Sequence, residues 1–198
     1  KTVLESGLFN IIEKTIDNPE EEIDADMIFD CRGRHNRDSS NYDTLINPLN
    51  SVLLAHKEGK DPDLTYTRTV ATPNGWTFII PNLHSVSYGY LYNDTITSTQ
   101  VAREDFMNRF RIYQDSLPLS FENYVAKNMF VGERTILQGN MYGFLEPMES
   151  TSINLCTHLC EQAFNEDKVS ANNIMRRIVK ELETFILWHY QFGSKYDT

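Results

Sequence analysis

Three runs of β-branched and aromatic residues lie close together in the first half of the chain, and they constrain its fold most. They span residues 66–71, 76–80 and 87–92 and are separated by Pro, Asn and Gly. Such runs with turn residues between them are typical of strands joined by short connections, so the pattern predicts one antiparallel sheet with a covered face. Because residues two apart in a strand point the same way, Trp76 and Phe78 are expected on one face of that sheet.

Further strands are predicted on both sides of this sheet by shorter apolar runs. A weak alternation predicts a strand over 9–16, and the run 27–29 predicts a buried strand that continues into the turn Asp30-Cys31-Arg32-Gly33. Two more short strands are predicted at 52–55 and 135–137.

Helices are predicted mainly in the second half. Thr97 or Ser98 is expected to cap a helix that runs to about residue 113, and two further helices are predicted over 151–164 and 170–190. The first should bury Ala102, Phe106, Phe110 and Tyr113, and the last should bury Ile174, Ile178, Leu182, Phe185 and Trp188. Strands followed by helices indicate an α+β class, with a sheet module over 1–149 and a helical segment over 150–198.

Charge and cysteine content narrow the possible partners and the compartment. The 28 acidic and 18 basic residues give a net charge of −10, which repels nucleic acid and anionic membrane surfaces. No apolar run approaches the roughly 18 residues of a spanning helix. Three cysteines without framework spacing predict reduced thiols and a cytoplasmic protein. Cys156 and Cys160 share a helical face that His158 does not, so no metal site is expected.

The most informative stretch runs from Gly139 to Ile153. A predicted strand ends in glycines, a loop carries two acids and a proline, and a helix begins at Ser150 or Thr151. The first N–H groups of a helix lack intrahelical partners and lie at the positive end of its dipole, so this spacing is compatible with an anion site. An ordinary Ser/Thr cap after a turn has the same spacing and stays an alternative.

Four motifs resemble those of the flavin-dependent halogenases of the tryptophan halogenase family, and they occur along the chain in the family's order. Residues 146–153, Glu-Pro-Met-Glu-Ser-Thr-Ser-Ile, resemble the signature E-P-L-E-S-T-S/G-I, and 75–81, Gly-Trp-Thr-Phe-Ile-Ile-Pro, resemble G-W-x-W-x-I-P with Phe78 for the second Trp. Residues 30–33 are similar to the D-C-S-G turn of the flavin domain, and 185–190 resemble a helix of the same enzymes.

The resemblance implies roles for nine residues. Glu149 matches the active-site glutamate that positions the substrate and the halogenating species, and the backbone amides of Thr151 and Ser152 match the chloride-binding pair. The flavin-contacting positions are matched by Gly33, Asn140 and Ile153. The aromatic barrier between flavin and substrate is matched by Trp76, Phe78 and Pro81.

The implied activity is halogenation of an aromatic, tryptophan-like or indole-like substrate within a p-hydroxybenzoate-hydroxylase-like FAD fold. FADH2 from a separate flavin reductase would form a flavin hydroperoxide, and bound chloride, bromide or iodide would become hypohalous acid. Self-association into a homo-oligomer stays open.

Two parts of the family pattern are missing from the sequence. The chain has no G-x-G-x-x-G dinucleotide motif, and no lysine stands in the context of the family's catalytic lysine. The chain is therefore expected to be an internal segment of a longer enzyme and inactive alone. Two alternatives stay open, a flavin monooxygenase that hydroxylates its substrate directly and a non-catalytic fragment.

Overall fold

The strands of the protein form three separate sheets. A computed structural model describes residues 3–33, 38–59, 64–113 and 116–192, and within these ranges eleven strands are present. The strands are β1 (Ile28–Asp30), β2 (Tyr42–Thr44), β3 (Ser51–Glu58), β4 (Arg68–Thr72), β5 (Gly75–Pro81), β6 (Ser85–Tyr92), β7 (Pro118–Ser120), β8 (Tyr124–Ala126), β9 (Phe130–Val131), β10 (Thr135–Leu137) and β11 (Gly143–Phe144).

Helices accompany these sheets, and the last two follow one another directly. They are α1 (Pro19–Glu22), α2 (Thr99–Phe110), α3 (Thr151–Asn165) and α4 (Lys168–Phe192). None of the helices in the described ranges is long and apolar enough to cross a membrane. The mixture of antiparallel sheets and helices confirms the α+β class.

The largest sheet has five antiparallel strands in the order β4-β5-β6-β3-β7 and contains the three predicted neighbours as adjacent strands. One face carries alternate residues such as Ile79 and Tyr90 and is covered by α2 through Ala102 and Phe106. The other face carries Trp76 and packs with Leu49, Leu91 and Met148. Both faces are therefore covered, whereas the sequence predicts cover on one face only.

Helix α2 begins as predicted and ends earlier than predicted. The Ser98 side chain accepts a hydrogen bond from the Val101 N–H and caps the first turn. The helix stops at Phe110 because Arg111 adopts a left-handed conformation with φ 53°. The prediction that Tyr113 lies on the buried face is wrong, since the chain turns before it and leaves its side chain 73% exposed.

The two smaller sheets and helices α3 and α4 enclose a second core. One sheet has the order β1-β10-β9, with β1 and β10 parallel, and the other has the order β11-β8-β2. The buried apolar residues between these sheets and the two helices are Ala126, Met129, Ile136, Leu137, Met141, Tyr142, Leu155, Leu159, Ala163, Ala171, Met175 and Val179.

The strand predicted over 9–16 does not form. This segment has no regular secondary structure, and its apolar side chains Phe9, Ile11 and Ile12 are exposed. A strand requires a neighbouring strand to satisfy its backbone groups, and none of the described strands pairs with this segment. A weak alternation of apolar and polar residues therefore does not by itself predict a strand.

Helix α4 turns a different side to the core from the one predicted. The buried apolar residues of this helix are Ala171, Met175, Val179 and Ile186. Most residues of the predicted row stand one position before a buried residue in the sequence, so they point to the side of the buried face. Within that row Ile174, Ile178 and Leu182 are half-buried, and Phe185 and Trp188 are exposed. The small Ala171 and the flexible Met175 allow close approach to α3, which decides the orientation. Residues 193–198 of the predicted helical segment lie outside the described ranges.

Candidate functional site

Two of the three predicted flavin-contacting residues lie at one sheet edge. Because β1 and β10 are parallel, their carboxyl ends are adjacent, and the Gln138 N–H donates to the Asp30 carbonyl over 3.0 Å. Gly33 follows the first strand, and Asn140 follows the second in a 3₁₀ turn over Gly139–Met141. The exposed Asn140 is held by its carbonyl, which accepts from the Tyr124 hydroxyl over 2.6 Å. Open clefts at the carboxyl ends of parallel strands are common ligand sites.

The turn after β1 is fixed by an ion pair that the sequence did not reveal. Arg32 donates from Nε and Nη2 to the two carboxylate oxygens of Asp30, each over 2.9 Å. Burial alone would raise the pKa of Asp30, but the hydrogen bonds and charge of Arg32 outweigh it and lower that pKa. A cavity of about 400 Å³ opens beside this pair. Its other walls include Asn41, Tyr42 and Leu137, which are far apart in sequence, so no local motif could indicate it.

The predicted catalytic glutamate lies in an unusual turn. Glu149 (φ 53°, ψ 28°) and Ser150 (φ 57°, ψ 31°) are consecutive left-handed residues, and α3 begins immediately afterwards at Thr151. Ser150 occupies the N-cap position, but its side chain makes no capping hydrogen bond. The alternative of an ordinary Ser/Thr cap therefore does not describe this helix start. The Glu149 side chain is exposed at the surface of the turn.

The backbone of Glu146 holds this turn together. Its carbonyl accepts from the Met148 N–H over 2.8 Å and from the Thr151 hydroxyl over 3.1 Å. The Thr151 N–H donates to the Met148 carbonyl within the turn, and the Thr151 side chain is buried. Ser152 is half-buried and Ile153 is exposed on the first turn of α3.

The aromatic wall consists of Trp76 and Phe78 on β5. Their ring centroids lie 6.2 Å apart on one face of the large sheet, which confirms the prediction that both point the same way. The Phe78 ring lies over Gly89 of β6, where a Cβ would overlap it. Pro81 ends the same strand opposite Val86.

Met148 joins the wall to the Glu149 turn. This buried side chain packs in one apolar cluster with Leu49, Trp76 and Leu91. The residue next to it in the chain is Glu149. The structure thus brings together the predicted wall and the predicted catalytic turn, although 70 residues of sequence separate them.

Sequence reasoning missed a buried polar link behind this cluster. Glu146 is fully buried, Tyr190 near the end of α4 donates its hydroxyl proton to Glu146 Oε1, and Trp76 Nε1 donates to that hydroxyl over 3.1 Å. Burial raises the pKa of Glu146 to about 7, while Tyr190, Trp76 and the charge of His189 act in the opposite direction. The sequence signal for this link is an acid, Glu146, among the apolar residues of the segment Phe144–Met148.

The thiols of α3 form a separate feature. The Gln138 side-chain amide donates to Cys160 Sγ over 3.1 Å and to the Cys156 carbonyl over 3.3 Å. His158 faces Glu161 at 3.3 Å. Across the described ranges no group of three or more His, Cys, Asp or Glu side chains has the arrangement of a metal site.

Comparison with known proteins extends the resemblance over nearly the whole chain. A family model described as tryptophan halogenase matches residues 7–198. Tryptophan 7-halogenase RebH from Lentzea aerocolonigenes is 26% identical over 197 residues, covering 88% of this chain and 37% of that protein. Tryptophan 6-halogenase ThaL from Streptomyces albogriseolus is 25% identical over 167 residues, covering 78% and 31%. The chain thus spans about a third of the length of these relatives.

The fold is shared with solved halogenase structures. BrvH, a flavin-dependent halogenase from Brevundimonas sp. BAL3, superposes with a TM-score of 0.73 at 21% identity, covering 89% of this chain and 40% of that chain. At that identity the likeness concerns the fold.

Proposed function

Because this chain belongs to the tryptophan halogenase family, we propose that it serves the halogenation of an aromatic, indole-like substrate with reduced FAD and a halide ion. The observation that carries the proposal is the single cluster in which Met148 joins the Trp76 wall to the Glu149 turn. Halogenation requires a shielded path between flavin and substrate and a carboxylate at the substrate end of it. The wall and the turn lie side by side, and we propose that they supply these two parts.

We propose that the flavin binds at the edge formed by β1 and β10. Gly33 (φ +82°) and Gly139 (φ +55°) have open space where a side chain would begin, so a planar ring can approach the backbone there. Gly33, Asn140 and Ile153 are the residues proposed to contact it. FAD, supplied in its reduced form by a separate flavin reductase, would provide the activation of dioxygen that oxidises the halide.

The halide is proposed to bind at the start of α3. The amides of Thr151 and Ser152 belong to the first turn, where N–H groups lack intrahelical acceptors and the helix dipole favours an anion. The Thr151 amide already donates to the Met148 carbonyl, so its contribution requires that turn to loosen. Ser152 is therefore the principal proposed donor.

Glu149 is proposed to orient the substrate, while Trp76 and Phe78 keep the substrate away from the flavin. Pro81 ends the same strand on the other face, beside Val86, so its proposed part is limited to ending the strand that carries the wall. The wall directs oxygen to the halide, because a substrate in contact with the flavin would be hydroxylated. A cytoplasmic location, with reductase and flavin in one compartment, completes the proposal.

The test is Glu149→Gln in the full-length protein, assayed with a flavin reductase, FAD, NADH and chloride or bromide. Halogenated product, measured by mass spectrometry over a panel of indoles, should fall roughly 100-fold or more, while flavin oxidation stays unchanged. The matched control is Glu181→Gln, an exposed glutamate on α4 that forms a long, exposed ion pair of 3.9 Å with Arg177. Full activity of Glu149→Gln would contradict the role. A halide-independent hydroxylated product would instead identify a monooxygenase.

A further inference from the structure

Among the buried acids of the described residues, Glu146 has surroundings that the proposed reaction does not explain. It is fully buried between the large sheet and the end of α4, and its Oε2 has no hydrogen-bond partner. Its hydrogen-bonded neighbour on α4 is Tyr190, which is neutral, and β5 contributes the uncharged Trp76. A buried carboxylate without a cation in contact is costly, so this arrangement favours the neutral acid.

The link reaches both halves of the proposed site. Through its side chain, Glu146 accepts from Tyr190, which in turn accepts from the Trp76 indole N–H. Through its backbone carbonyl, the same residue holds Met148 and Thr151 on either side of Glu149. A single residue thus contacts the wall through one intermediary and the catalytic turn directly.

We propose that Glu146 is a positioning residue, which acts through Tyr190 to hold the Trp76 indole in register with the Glu149 turn. Only the catalytic consequence of this inference rests on the proposed function. The link itself is a property of the folded chain and can be measured without turnover. A wall and a turn that shift relative to each other by about 1 Å would misalign substrate and oxidised halide, and such shifts cost enzymes up to about 100-fold.

The state of Glu146 should be visible in the emission of Trp76. The chain has two tryptophans, and the other, Trp188, is 56% exposed on α4. In this 198-residue chain, Trp188→Phe therefore leaves Trp76 as the single source of tryptophan fluorescence. Its fluorescence should change with pH with a midpoint near 7, the pKa of Glu146. Glu146→Gln should abolish the transition, and Tyr190→Phe should abolish or greatly reduce it.

Two controls separate this link from other causes. Tyr142→Phe removes the hydroxyl of a tyrosine buried in the second core and should leave the transition intact. His189 of α4 acts on Glu146 by charge alone and makes no hydrogen bond to it among the described contacts. His189→Gln should therefore keep the transition and move its midpoint upward. A transition that survives Glu146→Gln and disappears in His189→Gln would overturn the link.

The catalytic half is tested in the full-length protein by halogenated product formed per flavin oxidised. Glu146→Gln keeps an acceptor for Tyr190 and should stay within about threefold of the parent, with a flattened pH profile between 6 and 8. Glu146→Met removes the acceptor at similar volume and should lower this ratio roughly tenfold or more. If Glu146→Met keeps the parent's ratio, the positioning role is wrong while the proposed function stands. If the parent makes no halogenated product, the proposed function fails and the fluorescence variants still decide the link.

Discussion

Glu149 and Ser150 both have a left-handed backbone conformation, which is strained for residues other than glycine. Left-handed conformations cost non-glycine residues about 1–2 kcal/mol each, because Cβ approaches the following carbonyl oxygen. Here two such residues follow each other, at φ 53° and 57°. The surrounding hydrogen bonds from Met148 and Thr151 to the Glu146 carbonyl hold the turn in place. Strain of this kind persists only where the surrounding structure imposes it, and this turn leaves Glu149 exposed.

The strain at Ser150 predicts an unusual response to glycine. Ser150→Gly should raise the free energy of unfolding by up to about 1 kcal/mol, because glycine adopts the left-handed conformation without penalty and no capping bond is lost. The control, Ser152→Gly, places glycine in the right-handed first turn of α3 and should cost about 0.5–1 kcal/mol. Urea unfolding followed by circular dichroism measures both. Equal losses in the two variants would argue against a left-handed Ser150.

Strands β5 and β6 form the wall as a matched pair. Their register places Phe78 opposite Gly89 and Trp76 opposite Leu91. The absence of a side chain at Gly89 leaves the space that the Phe78 ring fills. The wall is thus a property of two strands together, and the glycine is as much a part of it as the aromatic residue.

The pairing can be measured with a double-mutant cycle. Gly89→Ala should destabilise the protein by about 1–3 kcal/mol, because the new methyl group displaces the Phe78 ring. In a Phe78→Ala background the same change should cost much less, giving a coupling of about 1 kcal/mol or more. Denaturant unfolding of the four proteins provides the values. An unchanged cost in both backgrounds would mean that the ring does not occupy the space above Gly89.

Elements whose structure is decided locally were predictable from the sequence. Four strands of the large sheet, β3 to β6, have the composition and turn residues that predict them, and Ser98 caps α2. The short strand β7 has no such signal and was not predicted. The segment 9–16 and the buried face of α4 were not predictable, because each depends on a partner distant in sequence. On α4 the rows starting at Ala171 and Ile174 are both apolar, and only packing against α3 decides between them.

At the scale of the whole molecule, the candidate site arises where separate cores meet. The parallel pair β1 and β10 positions Gly33 and Asn140, while the large sheet positions the wall, and α3 starts beside the wall and packs into the second core. The resemblance found in short motifs indicated the family, which the match over 7–198 confirms. It could not indicate the link from Glu146 to Tyr190, because hydrogen bonds across 44 residues leave no local pattern.

Two buried acids, Glu183 and Glu146, contribute to the pH dependence of stability in opposite directions. Glu183 of α4 accepts from the Ile46 N–H over 2.8 Å and binds Lys180 at 2.6 Å. Burial opposes ionisation of Glu183, but these bonds prevail and lower its pKa. A lowered pKa gives stability that is present above the ordinary value of 4.5 and lost as the pH falls. The raised pKa of Glu146 has the reverse effect.

For Glu146 the folded state holds its proton up to about pH 7, whereas the unfolded chain releases it near 4.5. Between these values the folded state binds more protons, so the free energy of unfolding should fall as the pH rises, by up to about 3 kcal/mol. Glu146→Gln should remove this fall and make the profile nearly flat from pH 5 to 7. Glu183→Gln should keep the fall and lower the free energy of unfolding throughout this range, while the slope of the profile changes only on the acid side, below about pH 4.5. Urea unfolding at half-unit pH intervals measures all three profiles, and a fall that persists in Glu146→Gln would assign the titration to another group.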